Sequence, residues 1–302
     1  MQKLHDALER VGKVVLGKDE QIRLAVACML ARGHLLIEDL PGMGKTTLAH
    51  ALSRIFSLDY QRVQFTSDML PADILGVSVF DPESRSFTLR KGPVFTQLLL
   101  ADEINRATPK TQSALLEAME EGQVTQDGES RPLPQPFFVV ATQNPLDQGG
   151  TFPLPESQLD RFLMRISLGY PAPEAEMSLL RAGDLRERAL DMSPALTVPE
   201  LMAVMAEVEQ VHASEDLLDY LQRLLEHSRG CGWFAAGLSP RAGLGVLRAA
   251  RAWALLDKRK YVIPEDIQAV LKPVCEHRLQ SASGGAAGGS ASRLLEAVPV
   301  VL

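Results

Sequence analysis

Residues 35–47 of the chain read LLIEDLPGMGKTT, and they give the strongest indication of the fold. An apolar run leads into a glycine-rich turn and then a helix-like segment, an order that predicts the strand, turn and helix of a phosphate-binding loop. Backbone N–H groups around residues 42–45 can surround a polyphosphate, and the dipole of the helix N-terminus favours its negative charge. Lys45 is predicted to neutralise the β- and γ-phosphates, and the Thr46 hydroxyl is predicted to bind Mg²⁺.

The loop departs from the usual pattern at one position. That pattern begins with Gly six positions before the Lys, and here Asp39 stands in that place. A glycine turn at the start of a helix in some other α/β protein is therefore an alternative interpretation, and the segments that follow decide between the two. The predicted nucleotide contacts in this loop are Gly42, Met43, Gly44, Lys45, Thr46 and Thr47.

Two acidic residues end a second apolar run, residues 98–103, which read LLLADE. A run this short predicts a buried parallel strand, and ligand sites in open α/β sheets lie at the carboxyl ends of the strands. Asp102 is predicted to lie beside Mg²⁺, and Glu103 to orient or deprotonate an attacking water. For this segment alone, a strand ending in two solvated acids is the favoured alternative, but it is disfavoured after a phosphate-binding loop at suitable separation.

A third apolar run, residues 137–142, ends in the sequence Gln143-Asn144-Pro145. A polar amide at a strand end could donate to the γ-phosphate or to the attacking water, which predicts a functional role for Asn144. The alternative is a plain turn, because Asn-Pro is also a turn signal.

Two arginines come later in the chain. Arg161 precedes a fourth apolar run, residues 163–168, and Arg241 follows Ser239 and Pro240, which predict the first turn of a helix. Either arginine could be an ordinary surface charge. Their order after the phosphate loop, the acid pair and Asn144 favours a functional role.

Five motifs in this order resemble those of the MoxR-type AAA+ ATPases: GMGKT (42–46), LADEINRA (100–107), ATQNP (141–145), QLDRF (158–162) and LSPR (238–241). The combination is specific, and the resemblance covers nearly the whole chain, from Val11 to Leu302. It implies an α/β core of the P-loop NTPase (AAA+) type, with a parallel sheet and hairpin insertions, followed by a small all-α lid domain.

The resemblance also implies roles for individual residues. Asn144 matches the first sensor, Arg161 the arginine finger and Arg241 the second sensor. The finger would act in trans on the nucleotide of a neighbouring subunit, and Arg241 in cis, over the nucleotide of its own chain. The active form would be a homo-oligomeric ring, usually a hexamer. In the family the corner before the first core helix borders the adenine, which makes Val15 and Gly17 candidates there; a plain helix-entry turn is the alternative.

The function that the resemblance implies is Mg-dependent hydrolysis of ATP, coupled to chaperone-like remodelling, maturation or activation of a client protein or complex. In the family the client or adaptor often carries a von Willebrand factor A domain. The alternatives are a metal-chelatase-type ATPase subunit, a DNA-remodelling or restriction motor, and a nucleotide-dependent scaffold. The intact Glu103 and Arg161 argue against the scaffold.

Composition narrows the class of protein further. A formal net charge of −7 over 302 residues argues against a dedicated nucleic-acid binder. The three cysteines, Cys28, Cys231 and Cys275, are far apart and lack metal-type spacing, as is typical of thiols in a reducing cytoplasm. Without an apolar signal segment or a run of eighteen apolar residues, we expect a cytoplasmic protein with no direct membrane insertion.

The predicted organisation has four parts: an AAA+ nucleotide-binding domain over residues 1–172, a helical lid domain over 173–280, a flexible Gly/Ala/Ser linker over 281–292 and a C-terminal tail over 293–302. Hydrophobic periodicity and helix-start signals predict core helices at 20–32, 45–56 and 109–122, and lid helices at 174–188, 199–212, 215–229, 240–257 and 264–275. Alternation and turn residues predict hairpins at 77–90 and 124–136, the second with Asp127-Gly128 as its turn.

Overall fold

The computed structural model of the chain describes residues 1–83, 85–146, 149–182, 189–282 and 289–300, and a parallel sheet forms its centre. In chain order the strands are β1 (Leu35–Glu38), β2 (Tyr60–Gln64), β3 (Gly76–Asp81), β4 (Ser86–Lys91), β5 (Leu98–Asp102), β6 (Gln123–Gln126), β7 (Glu129–Pro132), β8 (Phe138–Gln143) and β9 (Met164–Ile166). The central sheet has the order β2-β5-β8-β1-β9. The predicted strands at residues 35, 98, 137 and 163 are therefore confirmed as neighbours in one sheet.

The helices are α1 (Gln2–Gly12), α2 (Asp19–Leu30), α3 (Lys45–Ile55), α4 (Pro71–Leu75), α5 (Pro109–Glu121), α6 (Glu156–Leu159), α7 (Pro173–Ala182), α8 (Val198–Glu209), α9 (Glu215–Gly230), α10 (Pro240–Leu256), α11 (Pro264–Cys275) and α12 (Ser290–Ala297). Ser or Thr side chains accept a backbone N–H at the start of three lid helices, at Thr197, Ser214 and Ser239. This is the capping chemistry that ends a loop and begins a helix.

The two faces of the central sheet carry separate hydrophobic clusters. Successive side chains of a strand point to opposite faces. In β1, Leu35 and Ile37 accordingly join a cluster with α1, α2, α3 and the lid helices, whereas Leu36 joins a second cluster with α4 and α5. The lid therefore shares its core with one face of the α/β part, and the predicted boundary between residues 172 and 173 stays a prediction.

Close packing joins the lid to the start of β9. A Cβ atom added to Gly33, before β1, would lie 2.3 Å from the Leu163 side chain, and one added to Gly245, in α10, would lie 3.1 Å from Leu163 Cδ1. A side chain at Gly33 would therefore displace Leu163, whereas Gly245 packs tightly against the end of the same side chain. The first half of α10 is thus held at the amino-terminal ends of β1 and β9.

Both predicted hairpins are confirmed. β3 pairs antiparallel with β4, with Phe80 opposite Phe87, and β6 pairs antiparallel with β7. Asp127 and Gly128 form the second turn with positive φ angles of 54° and 80°, as a tight hairpin turn of this type requires. The tip of the first hairpin includes Ser84, which lies outside the described residues.

The C-terminal part differs from the predicted linker over 281–292. Ser281 forms a bridge with Phe234, and α12 begins at Ser290, so both described ends of this segment belong to the lid. The Glu276 carboxylate accepts the N–H groups of Ser290 and Ala291 at 3.0 and 2.9 Å, which caps the new helix. The composition of residues 281–292 could not predict this cap, because Glu276 lies outside that segment. Residues 283–288 of the predicted linker and 183–188 of the first predicted lid helix lie outside the described residues, as do residues 301–302 of the tail.

The structure contains elements that the sequence patterns did not predict, chiefly α1, β2 and α4. Within the described ranges, no helix has the length and apolar character needed to cross a membrane.

His34, which precedes β1, is a buried histidine with a structural role. Its Nδ1 accepts the Val139 N–H at 3.1 Å and its Nε2 bonds with the Met119 carbonyl at 3.2 Å, a pattern that the neutral ring satisfies. Burial lowers the pKa of His34 from 6.5 to about 4, and the Met119 carbonyl opposes this shift only in part.

Acidification is therefore expected to destabilise the fold through His34. The unfolded chain takes up the proton near pH 6.5 and the folded chain only near pH 4, so the stabilisation is complete above about pH 6.5 and is lost as the pH falls to about 4. The loss amounts to about 3 kcal/mol of unfolding free energy. Denaturant titrations of the wild type and His34→Gln at several pH values test this, since only the wild type should show this component. Parallel pH profiles for the two proteins would contradict it.

Candidate functional site

The loop between β1 and α3 has an open, concave backbone. Gly42 and Gly44 have positive φ angles of 83° and 89°, and a Cβ atom added to either would meet nothing within 4 Å. Left-handed backbone of this kind favours Gly, and a side chain here would fill the concavity. Lys45 begins α3, so the first N–H groups of a helix face the same space. The loop therefore fits an anionic group such as a polyphosphate.

Lys45 lies folded back on its own loop. Its Nζ donates to the backbone carbonyls of Asp39 at 2.6 Å and Leu40 at 3.2 Å. Partial burial lowers the pKa of Lys45, and the carboxylates of Asp39, Asp102 and Glu103 oppose that shift. The ammonium group is thus surrounded by acceptors that a bound phosphate could replace.

Asp39 closes the turn at the position where the usual pattern has Gly. Its Oδ1 accepts the Leu40 N–H at 2.9 Å, and its Oδ2 accepts the Gly169 N–H at 2.6 Å and the Ser167 hydroxyl at 3.1 Å. The departure from the pattern therefore has a structural reason: a buried carboxylate ties the loop to the segment after β9.

A cleft of about 630 Å³ opens beside this loop. It brings together most of the predicted site residues, namely Val15, Gly42, Met43, Gly44, Lys45, Thr46, Thr47, Asp102, Glu103 and Asn144. Three predicted residues do not line it: Gly17, Arg161 and Arg241.

The acid pair lies at the carboxyl end of β5, as predicted, and is surrounded by donors. Asp102 is only 8% exposed; its Oδ1 accepts the Thr142 hydroxyl at 2.6 Å, and its Oδ2 pairs with Arg62 Nη2 at 2.7 Å. Glu103 has a positive φ angle of 55°, unusual for a residue other than Gly. Its Oε2 accepts Gln64 Nε2 at 2.8 Å and pairs with Arg106 Nε at 3.0 Å.

No role was predicted for Arg62 and Gln64, because β2 was not predicted from the sequence. Both line the cleft, and they are two residues apart in β2, so they point to the same face. Arg62 also donates to Gln64 Oε1 at 3.1 Å. β2 is an edge strand of the central sheet with a mostly polar sequence, so it lacks the apolar run by which β1, β5, β8 and β9 were predicted.

The oxygen ligands for a divalent cation lie in the same cleft. Thr46, in the first turn of α3, and Asp102 both line it. Mg²⁺ is usually held by one or two protein oxygens together with substrate phosphates, so this donor set fits it. Within the described part of the chain, no group of three or more His, Cys, Asp or Glu residues could hold a metal ion unaided.

Apolar residues line the other end of the cleft. They come from the segment before α2, from the turn after β9 and from α7: Val14, Val15, Leu16, Tyr170, Pro171, Leu179 and Leu180. The Lys18 ammonium donates to the Tyr170 carbonyl at 2.7 Å and joins the first two segments. Such a surface fits a flat heteroaromatic base.

Gly17 has a packing role at this end instead of lining the cleft. Its φ angle is +68°, and an added Cβ would lie 2.8 Å from the Ala175 Cβ atom in α7. The glycine lets the loop approach α7 closely. Gly17 itself does not line the cleft, whereas Val15 does.

Asn144 follows β8 and is buried at the edge of the cleft. Its Oδ1 accepts the Leu146 N–H at 3.1 Å, which forms an Asx turn. Asn144 therefore both forms the turn and lines the cleft, so the two interpretations of this residue are compatible.

Arg161 and Arg241 lie together on another part of the molecule. Glu120, near the end of α5, pairs through Oε2 with Arg161 Nε and through Oε1 with Arg241 Nη1, both at 3.0 Å. Arg161 comes just before β9, which runs parallel to β1, so it lies at the amino-terminal ends of the strands. The phosphate loop follows the carboxyl end of β1.

The expectation that the lid holds Arg241 over the cleft of its own chain is therefore wrong. The reason is the packing of α10, where Gly245 contacts Leu163 at the amino-terminal end of β9. Arg241, at the start of this helix, is carried to Glu120 and away from the phosphate loop.

Comparison with known proteins agrees with this architecture. Residues 34–164 match the family model "ATPase family associated with various cellular activities (AAA)", and residues 229–298 match "AAA lid domain". "Chaperone MoxR1" of Mycobacterium tuberculosis is 39% identical over 286 residues, which are 91% of this chain and 75% of that protein. "Protein MoxR" of Paracoccus denitrificans is 33% identical over 301 residues, 92% of this chain and 88% of that protein. A Cytophaga hutchinsonii crystal structure superposes with a TM-score of 0.90 at 35% identity, covering 100% of this chain and 96% of that one.

Proposed function

This chain belongs to the MoxR-type AAA+ ATPases, and we propose that it hydrolyses Mg²⁺-ATP at a site shared by two subunits of a homo-oligomeric ring, a hexamer. The observation that carries the proposal is the separation described above. The cleft holds the phosphate loop, the acid pair and Asn144, whereas half-buried Arg161 and exposed Arg241 lie at the other ends of the strands. A second copy can bring its arginines to the cleft of the first.

In the proposed site the first N–H groups of α3 and the loop from Gly42 to Thr47 bind the phosphates. Lys45 exchanges its carbonyl acceptors for the β- and γ-phosphate oxygens. Thr46 and Asp102 would hold the magnesium ion. Bound Mg²⁺ would supply charge neutralisation across the β- and γ-phosphates. Val15 and its apolar neighbours contact the base.

Hydrolysis in this proposal is in-line attack of water on the γ-phosphate, and the protein contributes chiefly position and charge. Glu103 orients the water and accepts its proton. Gln64 and Arg106 hold the carboxylate in its present orientation, which is supported by their bonds to Oε2. Asn144 donates to the γ-phosphate or the water.

We assign both arginines to the neighbouring site. Arg161 serves as the arginine finger, and Arg241 acts beside it in trans instead of in cis. Support comes from Glu120, which pairs with Arg161 through Nε and with Arg241 through Nη1 and so holds the two guanidinium groups side by side. Side-chain exposures of 27% for Arg161 and 52% for Arg241 agree with a surface that another subunit covers.

The energy of hydrolysis would drive a conformational change in a client protein in the cytoplasm, with a chaperone-like result. The name of the M. tuberculosis relative, "Chaperone MoxR1", supports this role. A client or adaptor with a von Willebrand factor A domain is the proposed partner.

Nucleotide-dependent capture tests the client role. Tagged Glu103→Gln protein with ATP should retain the client, whereas Lys45→Ala protein, which lacks the main phosphate contact, should not. The purified captured protein should then raise the ATP turnover of the wild type. Equal retention by both variants, with no effect on turnover, would contradict a hydrolysis-coupled client.

The first hairpin, β3 and β4, is the proposed contact for that client or for a neighbouring subunit. Phe80 and Phe87 lie opposite each other with ring centroids 5.3 Å apart, yet they are 50% and 71% exposed. An aromatic pair left in solvent at a turn is typical of a surface that a partner covers. The alternative is a scaffold that merely covers the sheet.

Replacement of both aromatic residues by Ser is expected to leave folding and ATP affinity near those of the wild type, because neither side chain belongs to the core or the cleft. Client association or client-stimulated turnover should fall. Thr88→Ala, on the other face of β4, is the matched control. If association with a genuine client persists, the hairpin is scaffold.

A further inference from the structure

The loop that carries Arg161 is bonded to a largely buried arginine of the lid. Arg278, in the short 3-10 helix Glu276–Arg278 after α11, has only 9% of its side chain exposed. Its Nε donates to Asp160 Oδ1 at 2.7 Å, and its Nη2 donates to the carbonyls of Asp160 at 3.0 Å and Phe162 at 2.7 Å. Its Nη1 donates to the Leu163 carbonyl at 3.2 Å and to the Val274 carbonyl.

These acceptors bracket Arg161 on both sides. Asp160 precedes it and Phe162 and Leu163 follow it, so one guanidinium group defines the path of the backbone through Arg161. A planar guanidinium with five N–H donors can hold several acceptors in one geometry, which a lysine ammonium cannot do.

His277 adds a second contact from the lid to the same loop. Its Nε2 bonds with the Phe162 carbonyl at 3.2 Å. Burial holds the pKa of His277 well below 6.5, and the charge of Arg278 acts in the same direction. The neutral ring therefore donates its Nε2–H to this carbonyl.

The contacts also extend to Arg241. Asp160 receives Arg278 on Oδ1, and its Oδ2 lies 3.8 Å from Arg241 Nε. Arg241 and Arg161 then share Glu120. Arg278 is thus connected to both Arg161 and Arg241, although little of its side chain is accessible and it does not line the cleft of its own chain.

We propose that Arg278 is a positioning residue, which fixes the Arg161 loop so that Arg161 reaches the nucleotide of the neighbouring subunit. This inference rests on the trans site proposed above. Arg278 does not contact nucleotide, so its removal should leave the cleft of its own subunit competent. The defect should appear only at the site that this subunit's Arg161 completes.

Mixed rings distinguish this role from a general structural one. Arg278→Met keeps the apolar part of the side chain and removes the donors. Alone, it should bind ATP with unchanged affinity and hydrolyse it on the order of 10²-fold more slowly, as expected for a misplaced group. In rings mixed with Lys45→Ala subunits, activity should recover, because the intact cleft of an Arg278→Met subunit then meets the well-placed Arg161 of a Lys45→Ala neighbour. Mixed with Arg161→Ala subunits it should not recover, because neither subunit supplies a well-placed finger.

The opposite pattern would overturn the proposal. If Arg278 only stabilised its own subunit's cleft, Arg161→Ala mixtures would recover and Lys45→Ala mixtures would not. A control mixture of Arg161→Ala with Lys45→Ala separates the two hypotheses: failure of this control removes the trans site itself, whereas its success together with recovery in the Arg278→Met/Arg161→Ala mixture removes only the role of Arg278.

Arg278→Lys provides a milder variant if Arg278→Met does not fold. The ammonium group keeps the charge but can satisfy only part of the acceptor set, so the same pattern of mixtures is expected with a smaller loss. Thermal unfolding and oligomer mass are measured for every variant. Full recovery of the Arg278→Lys/Arg161→Ala mixture, with folded and mixed rings, would overturn the proposal independently.

Discussion

Glu103→Gln protein is expected to bind ATP normally and to hydrolyse it roughly 10²–10⁴-fold more slowly than the wild type, the usual contribution of a general base. Gln has the same shape and can accept the bond from Gln64 or make an equivalent one, so the cleft keeps its form. Its amide cannot accept the proton of the attacking water. Calorimetry measures the binding, and phosphate release measures the turnover.

Lys45→Ala is the comparison for this result. It should lose nucleotide affinity as well as turnover, because the phosphates lose the ammonium group that is nearest to the loop. The two variants therefore separate binding from chemistry. Wild-type turnover by Glu103→Gln would remove Glu103 from the mechanism, and loss of its ATP binding would indicate a damaged cleft.

Arg161→Ala is expected to lower turnover on the order of 10³-fold, as removal of an arginine finger does in other NTPases. The cause is the loss of a positive charge at the γ-phosphate in the transition state. ATP affinity should be nearly unchanged, since Arg161 does not line the cleft of its own chain. Steady-state turnover at saturating ATP, combined with direct binding, measures the two effects separately.

Arg54→Ala is a suitable control for the removal of an arginine. Arg54 is exposed in the last turn of α3 and does not line the cleft. It should retain wild-type turnover. An Arg161→Ala protein that resembles this control in turnover would contradict a catalytic role for Arg161.

The parts of the site that the sequence predicted are those coded locally. The phosphate loop needs Gly42 and Gly44 at positive φ and a helix that begins at Lys45, and all three requirements lie within a few residues. Asp102 ends one apolar strand and Asn144 follows another. Parallel strands bring their carboxyl ends to one edge of the sheet, so Asp102 and Asn144 lie together in the cleft although they are far apart in sequence.

The parts that were wrong or missed depend on distant packing. Arg241 follows a clear helix start, but its position is determined by Gly245 against Leu163, a contact that no local pattern encodes. Arg62 and Gln64 act on the acid pair from an edge strand that is too polar to be recognised as an apolar run. Asp39 departs from the motif, and its carboxylate ties the loop to Ser167 and Gly169, which lie far away in the sequence.

Completion of each ATP site by Arg161 of a neighbouring subunit is the claim that rings mixed from Arg161→Ala and Lys45→Ala subunits test. Each variant supplies the part that the other lacks. In a randomly mixed ring with head-to-tail interfaces, about a quarter of the interfaces pair an intact cleft with an intact Arg161. The mixture should therefore recover turnover toward that fraction of the wild-type value, although each variant alone is nearly inactive. No recovery in rings shown by native mass spectrometry to contain both subunits would contradict the claim.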